Sequence, residues 1–243
     1  MSNRDNGVPM NARTTSGQST HGLSADEAAL TVRLTEVYAS VQGESTHVGR
    51  PCVFIRLTGC NLRCTWCDST YTFTGGEHRS LADILDEIAT WGINLVELTG
   101  GEPLAQKNAI PLLKALVHQG YEVLLETSGS RPIDEVPEAV RVILDLKCPD
   151  SGEEAANLWE NLEQLQPHHE IKFVIASRRD YEWARSVIYQ HGLAQRVTAV
   201  LLSPAWDILE PATLVSWMVD DRLPARLQLQ MHKVIWSPDA QGV

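Results

Sequence analysis

Seven short apolar runs alternate with amphipathic stretches of helical period along this chain: VFIRLTG (53–59), NLVELTGG (94–101), YEVLLETSG (121–129), RVILDLKCP (141–149), EIKFVIAS (170–177), RVTAVLLSP (196–204) and ARLQLQMHK (225–233). This alternation limits the fold more than any other feature, because strands joined through helices line up in parallel beneath a helical layer. The expected helices are SLADILDEIATWG with Ser80 as N-cap, AIPLLKALVHQG, EEAANLWENLEQL, RDYEWARSVIYQHG and EPATLVSWMVDD. Gly92, Gly120 and Gly192 stand where left-handed helix caps belong. Residues 1–29, rich in Ser, Thr, Asn and Gly and without an apolar run, read as a disordered tail. The remainder is shorter than the roughly 250 residues of a closed eight-unit barrel. The expectation for residues 30–243 is one α/β domain, a partial and incomplete βα barrel of TIM type, with a flat doubly wound sheet as the alternative.

In such folds the chemistry sits where the strands end. The strand ends here carry Gly59-Cys60, Gly100-Gly101-Glu102, Thr127-Ser128-Gly129, Lys147-Cys148, Ser177, Ser203 and His232, so every reactive group falls on one rim. Side-chain alternation puts Val53, Ile55 and Leu57 on one strand face and Phe54, Arg56 and Thr58 on the other. In the last run Gln228, Gln230 and His232 oppose Leu227, Leu229 and Met231. A buried arginine needs an anion, which is either a ligand carboxylate or an internal partner such as Glu97.

Cys60, Cys64 and Cys67 form CxxxCxxC on the first of these rim loops. Three thiolates on a short loop can wrap one face of a 4Fe-4S cluster and leave one iron open for an outside ligand. The competing reading is a zinc site completed by His47 or His78, although zinc sites usually pair two such knuckles. Cys52 begins a strand at the wrong end and reads as a small buried hydrophobe. Cys148 is at the correct rim and is expected to line the core or the pocket. With five cysteines, no disulfide framework and no signal peptide, the expected compartment is the cytoplasm. The 20 Lys and Arg against 31 Asp and Glu give a net charge of -11, which argues against nucleic acid or an anionic membrane as partner.

CxxxCxxC followed by GGEP (100–103) resembles the radical S-adenosylmethionine superfamily. YASVQGES (38–45), GRPCVFIRLTGCNLRCTWCDS (49–69), LLETSG, LDLKCP (144–149) and QMHK (230–233) resemble the 7-carboxy-7-deazaguanine synthase family over nearly all of residues 34–233. The resemblance implies a barrel of the radical S-adenosylmethionine kind, whose open iron is chelated by the cosubstrate. Members act as homodimers, need magnesium, and turn 6-carboxy-5,6,7,8-tetrahydropterin into 7-carboxy-7-deazaguanine with loss of ammonia, a lyase step toward the tRNA base queuosine. Carried onto this sequence, Cys60, Cys64 and Cys67 would hold the cluster and Ser69 would ligate magnesium. Gly100, Gly101, Glu102, Thr127, Ser128 and Lys147 would meet S-adenosylmethionine, with Glu102 as acceptor for its ammonium. Gln42, Gly43, Glu44, Arg56, Thr99 and His232 would meet the pterin, Arg56 through its carboxylate. Electrons would come from a donor such as flavodoxin. The chain departs from the family's common QGEG at Ser45.

Two other functions compete: an activase that installs a glycyl radical on a partner protein, and a zinc-stapled binding module. Other conspicuous residues have plainer explanations. His168-His169 read as solvated loop histidines. Trp91, Trp159, Trp183 and Trp217 read as helix-to-sheet packing. Glu153-Glu154 and Asp220-Asp221 read as surface charge, and the Ser69 hydroxyl could merely cap the turn at Tyr71.

Overall fold

The computed structural model describes residues 21–243. Six helices and nine strands follow in the order α1 (Ala25–Ala28), β1 (Thr31–Val41), β2 (Pro51–Leu57), β3 (Glu77–Ser80), α2 (Leu81–Ala89), β4 (Leu95–Gly100), α3 (Ala109–His118), β5 (Glu122–Thr127), β6 (Arg141–Asp145), β7 (Glu170–Ile175), α4 (Arg178–Gln190), β8 (Ala199–Pro204), α5 (Pro211–Asp220), β9 (Arg226–Leu227) and α6 (Met231–Ile235). All nine strands share one sheet in the order β3-β1-β2-β4-β5-β6-β7-β8-β9. The run from β2 to β9 is parallel, while β1 is antiparallel to both β2 and β3. The two edge strands do not pair, so the barrel is partial, as the strand–helix alternation implies.

Alternation along the strands builds two unlike faces. Val53, Ile55, Leu57, Val96, Leu98, Val123, Leu125, Val142, Leu144, Ile171 and Phe173 face outward into the main core. The helices cover this layer: Leu81, Ile84, Leu85 and Ile88 of α2 recur at helical spacing and are buried. Burial of each such side chain contributes about 1.5–3 kcal/mol. The Ser80 side chain accepts from the Asp83 backbone N–H and caps α2, while Gly92, Gly120 and Gly192 all have positive φ. On the inner face Cys52, Phe54, Leu95, Leu124 and Ile143 form a small apolar layer with Tyr38. Above it, toward the strand ends, the same alternation presents Arg56, Thr99, Glu126, Asp145 and Lys172.

Several segments differ from expectation. QMHK is not strand: β9 stops at Leu227 and Met231–Ile235 is helical. EEAANLWENLEQL forms only 3₁₀ turns at Glu154–Ala156 and Trp159–Gln164. Its asparagines are spent elsewhere, since Asn157 bonds both the N–H and the C=O of Lys147 at 2.9 Å, and Asn161 bonds the backbone of Gly129, Arg131 and Ile133. A side chain that satisfies a neighbouring loop competes with the helix it sits in. His169 is 5 % exposed rather than solvated, and burial pulls its pKa down to about 4. Trp159 is half exposed and stacks on His191, unlike Trp91, Trp183 and Trp217, which pack on the core. Of the expected tail, residues 1–20 lie outside the described residues. Residues 21–29 are tied down: His21 bonds Asp86 at 2.9 Å, and Ser24 and Glu27 form a capping box on α1.

Candidate active site

The loop after β2 carries the three cysteines and is braced on every side. Gly59 N–H donates to the Thr72 carbonyl at 2.7 Å, and Cys67 N–H to the Cys64 carbonyl at 3.2 Å. Thr65 N–H donates to the Ser151 carbonyl and Arg63 N–H to Glu153 Oε1, so the turn after β6 fastens the loop from the far side. Glu153 is therefore a brace and not free surface charge, although no local sequence pattern marks it.

The GGEP turn packs onto this loop. Glu102 N–H bonds the Gly59 carbonyl at 2.9 Å, and a Cβ on Gly101 would stand 2.5 Å from the Gly59 oxygen and 2.6 Å from Cys60 Cβ. Backbone at that distance has nowhere to go. Gly101→Ala is expected to displace Cys60 and to lower iron retained after anaerobic reconstitution several-fold, measured by iron content; unchanged loading would show that the turn yields. Glu102 differs from expectation. It is 0 % exposed and accepts from Thr127 Oγ1, Ser128 N–H, Ser128 Oγ and Leu104 N–H. Its carboxylate clamps two rim loops together and is not among the groups that line the cavity.

One cavity of about 890 Å³ fills the inner face. Cys60, Cys64, Cys67 and Ser69 line its mouth with Gly100, Gly101, Thr127, Ser128 and Lys147, while Gln42, Gly43, Glu44, Arg56, Thr99 and His232 line its deeper part. All five cysteines are free, and Cys148 (1 % exposed) and Cys52 (0 %) are turned into the core. Burial raises the Cys60 thiol and pushes Cys64 up to about 11, against the pull of Lys147. Metal charge is what would ionise them. The donor set fits an iron-sulfur cluster with one open iron: three soft thiols on one side of a single cavity, with neither other cysteine turned toward it. The zinc reading fails on its histidines. His47 bonds Glu122 at the start of β5, and His78 sits in β3 opposite Arg33.

Gln42–Arg50 closes the opposite end of the barrel. Thr46 N–H and its hydroxyl bond Glu170, His47 and Arg50 bond Glu122, and both acids begin strands. Gln42 and Glu44 thus enter the cavity from below, not from the rim. The Glu44 carboxylate accepts from Gln228 Nε2 (2.8 Å), Gln230 Nε2 (3.1 Å) and Lys172 Nζ. His232 packs so closely on Gly43 that a Cβ there would meet Nδ1 at 2.4 Å. Burial lowers the His232 pKa despite Glu44 and Asp68. Ser45 adopts φ 60, a left-handed conformation that favours glycine.

Arg56 has internal partners, though not Glu97, the internal alternative to a ligand carboxylate. Its Nε donates to Glu36 Oε1 at 2.7 Å and its Nη2 to the Tyr38 hydroxyl at 2.7 Å, while Tyr71 donates to the same Glu36 oxygen. Nη1 makes no hydrogen bond among the described residues. Lys172 bridges Glu44 and Glu126 Oε1, and Asp145 meets Lys147 at 2.8 Å through Oδ2, leaving buried Oδ1 without a partner among the described residues. Ser69 does not cap its turn; its hydroxyl donates to Asp68 Oδ1 at 3.0 Å, and Lys233 Nζ holds Asp68 Oδ2 at 2.7 Å. Burial alone would raise the Asp68 carboxyl, but Lys233 and Gln230 hold it well below the usual range. Sequence reasoning missed Asp68, Glu97, Asp145 and Lys172 as cavity groups, and Glu36 as the acid behind Arg56; the period-2 alternation was the signal available for Glu97, Asp145 and Lys172.

Comparison with known proteins agrees with this geometry. The radical SAM superfamily profile matches residues 54–151. The 7-carboxy-7-deazaguanine synthase of Koribacter versatilis is 48 % identical over 226 residues, covering 87 % of this chain and 100 % of that protein. That of Chlorobaculum tepidum is 42 % identical over 215 residues, covering 87 % and 97 %. The crystal structure of QueE from Escherichia coli superposes with a TM-score of 0.70 at 25 % identity, covering 89 % of this chain and all of that one. The chain belongs to the 7-carboxy-7-deazaguanine synthase family of radical SAM enzymes.

Proposed function

We propose that this protein converts 6-carboxy-5,6,7,8-tetrahydropterin to 7-carboxy-7-deazaguanine and ammonia, a carbon–nitrogen lyase step in queuosine biosynthesis. The observation that carries the reading is a single cavity with free thiols at its mouth and an arginine, amides and carboxylates on its deep inner face. A flat heterocycle bearing a carboxylate needs that combination: a cation for the acid, and donors and acceptors for the ring edge.

Cys60, Cys64 and Cys67 would hold the 4Fe-4S cluster, and Gly100, Gly101, Thr127, Ser128 and Lys147 would line the S-adenosylmethionine site. When bound, cluster and cosubstrate supply the one-electron chemistry that opens the reaction. The residues of the chain orient and exclude water. Arg56, already braced by Glu36 and Tyr38, would turn its remaining nitrogen to the substrate carboxylate. Glu44, fixed by two glutamines and Lys172, would accept from the ring edge, with Gln42, Gly43, Thr99 and neutral His232 completing the wall. The Ser69 hydroxyl beside a fully ionised Asp68 offers the hard oxygens magnesium takes. A flavodoxin-type donor, a homodimer and a cytoplasmic location complete the reading.

Anaerobic incubation with reductant, S-adenosylmethionine, magnesium and the carboxytetrahydropterin is expected to yield the deazaguanine acid; 5'-deoxyadenosine without that product would refute the substrate. In the same assay Ser69→Ala is expected to raise the magnesium concentration for half-maximal rate by about 10-fold or more, the usual scale for a lost metal partner. An unchanged magnesium dependence would remove Ser69 from the site.

A further inference from the structure

Glu97 lies deep in the cavity, two residues before Thr99 on the same face of β4, and makes no ion pair among the described residues. It is 3 % exposed. Around it stand Gln42 and Glu44 from the closing loop, Arg56 and Cys52 from β2, Glu126 from β5 and Lys172 from β7, with Tyr38 and Glu36 of β1 beyond. The nearby cations are engaged elsewhere: Lys172 bridges Glu44 and Glu126, and Arg56 pairs with Glu36. Glu97 is therefore the third carboxyl around a single free-standing ammonium.

Its hydrogen bonding places the proton. Gln42 Oε1 accepts from Glu44 N–H at 2.7 Å, which makes the other end of that amide the donor, and Gln42 Nε2 donates to Glu97 Oε2. Oε2 is thereby the acceptor oxygen of the acid. Oε1 has no partner among the described residues, and Glu97 lines the cavity. We infer that Glu97 presents a carboxylic O–H through Oε1 and donates it to a hydrogen-bond acceptor, a ring nitrogen or carbonyl, on the heterocycle bound above it. Burial, reinforced by Glu126 and Glu44 against Arg56 and Lys172, raises its pKa well above the usual carboxylate value, in keeping with a neutral acid. The inference rests on the pterin-acid reading and adds a specificity-determining group to it.

The test uses reconstituted enzyme with S-adenosylmethionine and magnesium, titrated with 6-carboxypterin at pH 5.5 and 8. Wild type and Glu97→Gln are expected to change in parallel between the two values, since His232 and the ligand ring titrate alike in both. Glu97→Gln keeps a donor toward the ligand and an acceptor toward Gln42, and is expected to stay within about 3-fold; Glu97→Leu loses the donor and is expected to weaken binding by about 10-fold or more. Equal losses in both variants, or wild-type binding that changes with pH where Glu97→Gln binding does not, overturns the inference while leaving the substrate intact. No binding by wild type overturns the substrate reading and this inference with it. Thermal melts give a second readout that does not need ligand. The folded state keeps a proton on Glu97 that the unfolded chain releases above about pH 4.5, so Glu97→Gln is expected to gain stability relative to wild type as pH rises from 5 to 8. A pH-independent difference overturns a neutral Glu97.

Discussion

Cys64→Ala is expected to abolish deazaguanine formation and to yield a colourless protein after anaerobic reconstitution. The physical argument is one of ligand count. The two other cysteines, Cys52 and Cys148, are both buried away from the cavity, so no spare thiol can take the vacant place. Two thiolates cannot hold a cluster that already leaves one iron open. The fold itself does not depend on Cys64, which is only partly buried, and whose loop is fastened by the Ser151 and Thr72 carbonyls and the Glu153 carboxylate. The expected pattern is therefore lost iron and lost product with a thermal midpoint within a few degrees of the wild-type apo protein. Retention of iron and brown colour in the variant would mean that the motif is not the cluster site.

Lys172→Met is expected to cost about 3–5 kcal/mol of stability, the scale for removing one partner of a buried ion network. For a chain of this size that lowers the melting midpoint by roughly 6–20 °C. Lys172 is 5 % exposed and is the cation between Glu44 and Glu126, with Glu97 close by. Burial by itself would depress the ammonium, but Glu126, Glu44 and Asp145 raise it well above its ordinary value. Its stabilisation is thus present throughout neutral pH and lost only as pH rises through that elevated pKa. For Glu126, burial raises and Lys172 lowers, with a net shift downward; its contribution is present above the usual carboxylate range and lost in acid. Without the lysine the carboxyls repel one another and the folded state retains protons that the unfolded chain releases. Stability of the variant should then fall as pH climbs from about 5 to 8, widening its deficit against wild type. A deficit that is constant with pH would mean that only packing was lost.

How much could be read beforehand depended on the range over which each feature is decided. The parallel core, the rim loops, the glycine caps and the cysteine and GGEP turns are each set within a few residues, by side-chain period and turn chemistry, and they stand where expected. β1 went unread because TVRLTEVYASV has no clean alternation; its ladder forms against β2 and β3, and its inner face carries Glu36 and Tyr38 for Arg56. RLQLQMHK does alternate with period two, yet the strand stops at Leu227. Gln228 keeps a backbone bond to Leu202, but the Gln228 and Gln230 side chains are drawn to Glu44, more than 180 residues earlier, and the chain then turns into α6.

The sequence by itself thus determined the architecture and the placement of the rim motifs, because hydrophobic period, caps and motif spacing act locally. The tertiary structure alone decided the inner electrostatics: that QGE closes the far end, that Glu102 is a clamp, that Arg56 leans on Glu36, and that Glu97 is the carboxyl left without a cation. Each of these is a choice among several opposite charges brought together from distant strands, and in a buried site the nearest partner and the cost of burying an unpaired charge settle that choice, which no local pattern encodes.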